Sequence, residues 1–197
     1  LCDWSSDVCS SDLLRTINLN LGAAEAPAAL DQVIVNGSSS ADEYAIGLNA
    51  GVIEISRASG ELIRVSDASA ALGGAALTLN LGGGADTVSV APTLAGTTTT
   101  INGGDQNDTL NVAPGADANG IAGEILFNGD AGDDTLNFND NDAAANVGFL
   151  SANRIWGFDM PGSDASSKGV SYATIELLNL KLGARPDTVN VRGAAAN

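Results

Sequence analysis

Apolar and polar residues alternate along this chain in short runs. QVIVN (32–36), LTLN (77–80), TTTIN (98–102), EILFN (124–128) and LLNLK (177–181) all show it. A period of two marks a strand with one buried face. Beside these runs lie five segments that align on one Asp: GSSSADEYAI (37–46), LGGGADTVSV (81–90), GGDQNDTLNV (103–112), GDAGDDTLNF (129–138) and LGARPDTVNV (182–191). The shared residues are Asp42, Asp86, Asp108, Asp134 and Asp187. In four of the five, Thr follows, then an aliphatic residue, a polar residue, and Val or Phe. In DTLNV, Leu110 and Val112 face inward and Thr109 and Asn111 outward. Further strands are expected at INLNL (17–21), VIEIS (52–56), LIRVS (62–66) and ATIELLNL (173–180). The Ala-rich pieces at 22–30 and 67–76 are short and broken by Gly or Pro, so no amphipathic helix is expected.

The aligned Asp residues sit 44, 22, 26 and 53 residues apart, so the outer steps span about two repeats each. Glycine supplies the left-handed backbone a sharp turn needs, and Asp and Asn tolerate it. A unit of this length cannot bury its apolar face alone, but stacked units can. The expected fold is all-β: a parallel β-solenoid, β-helix- or β-roll-like, with stacked Gly/Asp turns. All five turns would lie on one edge, with outer ladders of Thr87, Thr109 and Thr135 and of Ser89, Asn111 and Asn137. An antiparallel β-sandwich built from hairpins is the alternative that the same alternation satisfies.

Three of the turns resemble the RTX (haemolysin-type) nonapeptide G-G-x-G-x-D-x-U-x. Residues 103–111 match it except for Gln106 in place of the third Gly, and residues 129–137 except for Asp130 in place of the second. Residues 81–89 miss only the first Gly. The resemblance is to the degenerate, widely spaced repeats of large bacterial secreted or surface proteins. It implies calcium held between neighbouring turns, with Asp86, Asp108 and Asp134 as carboxylate ligands. Carbonyls near Gly82, Gly84, Gly103, Gly104, Gly129 and Gly132 would join them, and Asp105 and Asp130 of the same turns are counted in the expected metal site. Calcium suits such a set, because it takes six to eight oxygen ligands in flexible geometry. The turn at Leu182 carries Arg185, a cation that opposes metal binding, and the triple-serine turn at Gly37 matches least. Asp140 to Asp142 reads as a solvated loop.

Charge points the same way. Twenty-four acidic residues against 8 basic give −16, which repels nucleic acid and anionic membranes and attracts cations. There is no His, so the commonest general base and transition-metal ligand is missing. Gly82-Gly83-Gly84 is not a dinucleotide fingerprint, because no helix is expected after it. No apolar run is long enough to span a bilayer, so membrane insertion is not expected. The insertion at 139–169 holds Phe149, Trp156, Phe158 and Met160 and reads as a cover over the core.

Residues 1–13 (LCDWSSDVCSSDL) carry both cysteines and match nothing downstream. They resemble a translated sequencing adapter and read as an artefact or a disordered tail. Residues 14–197 then form a single repetitive domain, incomplete at both ends. The expected function is that of a non-enzymatic, calcium-binding structural or adhesive module, extracellular or on the cell surface. Its partners would be calcium ions, cell-surface or polysaccharide ligands, and flanking repeats of the same chain. A metal-independent adhesin or spacer, and an accessory module of a polysaccharide-active enzyme, are the alternatives.

Overall fold

The computed structural model describes residues 16–21, 31–66, 75–165 and 168–193. The adapter-like residues 1–13 and the Ala-rich pieces at 22–30 and 67–74 lie outside them. In chain order the strands are β1 (Thr16–Asn20), β2 (Asp31–Asn36), β3 (Glu43–Asn49), β4 (Val52–Arg57), β5 (Leu62–Ser66), β6 (Ala75–Gly83), β7 (Thr87–Val90) and β8 (Thr98–Asp105). They continue with β9 (Thr109–Val112), β10 (Glu124–Ala131), β11 (Thr135–Asp140), β12 (Val147–Leu150), β13 (Arg154–Gly157), β14 (Val170–Ala173), β15 (Leu177–Leu182) and β16 (Thr188–Val191).

These strands form two eight-stranded sheets. Sheet one runs β1-β5-β4-β3-β7-β9-β11-β15, and sheet two runs β16-β12-β13-β14-β10-β8-β6-β2. Five times the chain crosses from a strand of sheet two to one of sheet one: β2 to β3, β6 to β7, β8 to β9, β10 to β11 and β14 to β15. Within each sheet these repeat strands pair in parallel. The hairpins of an antiparallel sandwich are therefore confined to β3-β4-β5 at one end and β12-β13-β14 at the other. Those two extensions lengthen opposite sheets, and each ends in a strand that pairs in parallel, β1 on β5 and β16 on β12.

Register follows the alternation. Thr87, Thr109 and Thr135 align, and so do Ser89, Asn111, Asn137 and Asn179. On the outer face of sheet two, the side-chain amide of Asn80 donates to Asn36, Asn102 to Asn80 and Asn128 to Asn102, each at 2.8 Å. Asn137 donates to Asn111 and Asn179 to Asn137 on the outer face of sheet one. The inner rows, including Leu79, Ile101 and Phe127 of one sheet and Val88, Leu110 and Leu136 of the other, join one core. Each such side chain contributes about 1.5–3 kcal/mol by burial. A slip of one residue would turn these rows outward, so the core fixes the register.

Two expectations change. The run ATIELLNL is not one strand: it breaks at 174–176 into the turn between β14 and β15. The five aligned Asp residues do not share an edge either. Asp187 follows β15 of sheet one and precedes β16 of sheet two, so its turn runs the opposite way from the other four. The insertion does cover the core: Phe158 is fully buried, its ring 5.3 Å from that of Phe138, and a Cβ at Gly148 would overlap it.

Candidate cation site at the Gly/Asp turns

The four turns from sheet two to sheet one that end in Asp42, Asp86, Asp108 and Asp134 lie in register. In the last three, the second and fourth residues have left-handed backbone: Gly82 and Gly84, Gly104 and Gln106, and Asp130 and Gly132. Gln106 and Asp130 are the two departures from the glycine pattern, and both keep the turn's torsion. The triple-serine turn has no such residue, which agrees with its poor match. The repeats also approach closely here. A Cβ at Gly104 would overlap the carbonyl of Gly82, and one at Gly132 the carbonyl of Gln106.

Each recurring carboxylate points inward beneath its turn and bonds the repeat before it. Oδ1 of Asp86 accepts the N–H of Asp42 at 2.6 Å, Oδ1 of Asp108 that of Asp86 at 2.8 Å, and Oδ1 of Asp134 that of Asp108 at 2.7 Å. Glu176 continues the series: its Oε2 accepts the N–H of Asp134 at 2.6 Å. Counted from the paired residues Asn128 and Ala173 to Thr135 and Leu177, the β14–β15 turn is three residues shorter, and an acid still stands just before the strand. Acid-x-Leu-Asn-aliphatic at 176–180 mirrors residues 134–138 and is the signal by which Glu176 can be found.

The second oxygen behaves differently. Oδ2 of Asp86, Asp108 and Asp134 is buried and has no hydrogen-bond partner among the described residues. Oδ2 of Asp108 lies against the α-carbon of Gly103, where a Cβ would overlap it and the carbonyl of Gly129. Oδ2 of Asp134 stands in the same way to Gly129 and the carbonyl of Thr174. At the Asp86 turn the residue equivalent to Gly103 is Leu81, fully buried. Burial raises the affinity of these carboxyls for protons: Asp86 is pushed up to about 7, Asp108 to about 6, and Asp134 is also raised. Neighbouring carboxylates add to this, and the accepted N–H offsets part of it.

Of the expected ligand residues, Asp86, Asp108 and Asp134 therefore come together in one inner row, with Gly82, Gly84, Gly103, Gly104, Gly129 and Gly132 around them. Asp105 and Asp130 do not join that row: both are exposed on the outside of their turns. Among the described residues, no group of three or more acidic side chains is arranged to hold a metal ion. An ion here would take one carboxylate per turn and carbonyl oxygens from two repeats. The buried, unpaired Oδ2 atoms fit that donor set, because a buried anionic oxygen without a partner is strongly disfavoured.

On the opposite edge, Asp140 is buried rather than solvated. The side-chain amide of Asn146 donates to Asp140 Oδ2 at 3.1 Å and to Asp142 Oδ2 at 2.9 Å. The N–H of Asn146 donates to Asp187 Oδ1 at 2.9 Å, and Asp187 Oδ2 is buried and unpaired. Burial raises the pKa of Asp140 too. Asn146 carries no motif, which is why the sequence does not single it out.

No family model, curated protein or solved structure matches the chain. Among the described residues no helix is long and apolar enough to cross a membrane.

Proposed function

We propose that the chain is a calcium-binding β-solenoid module with structural or adhesive work and no catalytic role, exported to the cell surface or beyond. One observation supports this above the others. Three successive repeats each bury a carboxylate oxygen that nothing among the described residues satisfies, one above another in the same row. Three stacked negative charges in a poorly solvated row repel one another, and a divalent cation between repeats removes both that repulsion and the loss of hydration. Asp86, Asp108 and Asp134 would supply the carboxylates. Calcium would then act as a folding ligand, adding stability as RT ln(1 + [L]/Kd). The metal-free spacer is the second reading, supported by the Oδ1 ladder, which is complete without an ion.

Thermal unfolding in millimolar calcium and in chelator separates the two. The calcium reading expects a higher midpoint with calcium, and an unchanged midpoint rejects it. Asp108→Asn sharpens the test, because the amide keeps an oxygen for the N–H of Asp86 and removes the charge. It should lose most of the calcium-induced shift without losing the fold.

A further inference from the structure

The first turn repeats the ladder but treats its carboxylate differently. The N–H of Asp42 donates to Asp86 as that of Asp86 does to Asp108. Both oxygens of Asp42, however, are satisfied within the chain. Oδ1 accepts from Nε of Arg57 at 2.9 Å and from Nη2 of the same guanidinium. Oδ2 accepts from the N–H of Ser38 at 3.2 Å and from its hydroxyl at 3.0 Å.

Arg57 is delivered by β4, the first strand of the antiparallel extension, where it lies opposite Tyr44 and its guanidinium sits 5.9 Å from the ring. The pair is well shielded, with 16% of the Arg57 side chain and 5% of the Asp42 side chain exposed. Asp86, Asp108 and Asp134 have no ion pair among the described residues. The two solutions match in charge: one buried anionic site carries a fixed cation, and the three that follow have an unpaired oxygen.

We propose that Arg57 is a resident counter-ion. It supplies from within the chain the positive charge that a bound metal ion would otherwise bring to the Asp42 turn. That turn therefore takes no calcium, and removing the guanidinium converts it into a further site for a hard, oxygen-liganded cation. The proposal rests on the calcium reading of the three later turns and adds where that chemistry stops. Arg suits the role because its charge is permanent and its planar fork fits a carboxylate. An open cleft of about 520 Å³ borders the pair and is lined by Ser40, Glu43, Ser59 and Thr87 among others. It gives an incoming ion a path and further oxygen donors.

The test is Arg57→Gln in the full chain, titrated with terbium as the calcium analogue and followed by tyrosine-sensitised emission and by calorimetry. The variant should bind one more equivalent than the unaltered chain, with a several-fold rise in sensitised emission from the adjacent Tyr44. Arg57→Gln combined with Tyr44→Phe should lose that emission and keep the extra equivalent. Arg57→Lys, which retains a cation, should bind no extra equivalent. If Arg57→Gln binds no more terbium than the unaltered chain, the counter-ion role is overturned while the calcium reading of the later turns stands. If only the variant binds, the counter-ion role stands and the calcium reading falls. If Arg57→Gln unfolds, recovery of the fold on adding terbium supports the proposal, and failure to recover overturns it.

Discussion

The two edges of the stack carry the same kind of task by different means. On the acidic edge, the three central turns repeat one pattern. Left-handed residues recur at the same two positions, and a carboxylate from each repeat holds the backbone of the one before. On the opposite edge, the connections at 91–97, 113–123, 141–146 and 183–187 share neither length nor chemistry. Asp117 caps the short 3-10 turn Ala118–Gly120, the hydroxyl of Thr93 accepts the N–H of Gly123, and Asn146 gathers three acids. Repetition is strict where backbone torsion and a buried charge must be served together. It lapses where any local hydrogen bond will close the loop.

Glycine substitution should break this contrast most forcefully. At Gly103 or Gly129 a Cβ would overlap both a carboxylate oxygen and a backbone carbonyl of the next repeat, and neither can withdraw cheaply. Gly103→Ala and Gly129→Ala should each lose roughly 3 kcal/mol or more in urea unfolding. Gly115 on the opposite edge has a left-handed φ of 73° and open space around it, so Gly115→Ala should lose only about 1 kcal/mol. Equal losses at the two edges would dissolve the distinction.

The pH dependence of the chelated protein comes next. Asp86 and Asp108 have folded-state pKa values of about 7 and about 6, against about 4 when unfolded. Between these limits the folded chain holds protons that the unfolded chain has released. Their contribution to stability is therefore full below about pH 4 and is lost as pH rises from there to about 7, by on the order of 2–4 kcal/mol. Denaturant titrations at pH 5 and pH 8 check the sign. Greater stability at pH 8 in chelator would show that the row is not desolvated as described.

The smallest effect concerns Gln106, an exposed residue with a left-handed φ of 76° on the acidic edge. Glycine takes that backbone without strain, so Gln106→Gly should stabilise by about 0.5 kcal/mol despite the added freedom of the unfolded chain. Chemical denaturation resolves a gain of this size when the midpoint moves at constant slope.

Much of this was legible from alternation alone. The strands of the central repeats and the ladders of Thr87, Thr109 and Thr135 and of Ser89, Asn111 and Asn137 follow from a period of two and a recurring Asp. What alternation cannot carry is direction. The strand after Asp187 reads TVNV, indistinguishable in pattern from TVSV after Asp86, yet it belongs to the other sheet. Glu176, in the turn from β14 to β15, takes the next place in the Asp series, so Asp187 falls in the following loop, from sheet one back to sheet two. Glu176 was hidden by a turn too short to show glycine, and Arg57 by its place on a strand outside the repeat. Both act through contacts formed across 42 and 15 residues, which local spacing does not report.

The carboxylate ladder also sets an order in time. Four of the five turns on that edge are held by an acid that comes later in the chain: the N–H of Asp42 waits 44 residues for Asp86, and that of Asp86 waits 22 for Asp108. A chain emerging from its N-terminus therefore cannot secure a repeat until the following one has appeared. Loop closure is easier over 22 or 26 residues than over 44 by about 0.6 kcal/mol, so nucleation is expected among the three central turns. Growth would spread outward from there, and the turn at Asp42 would be secured after that nucleus has formed.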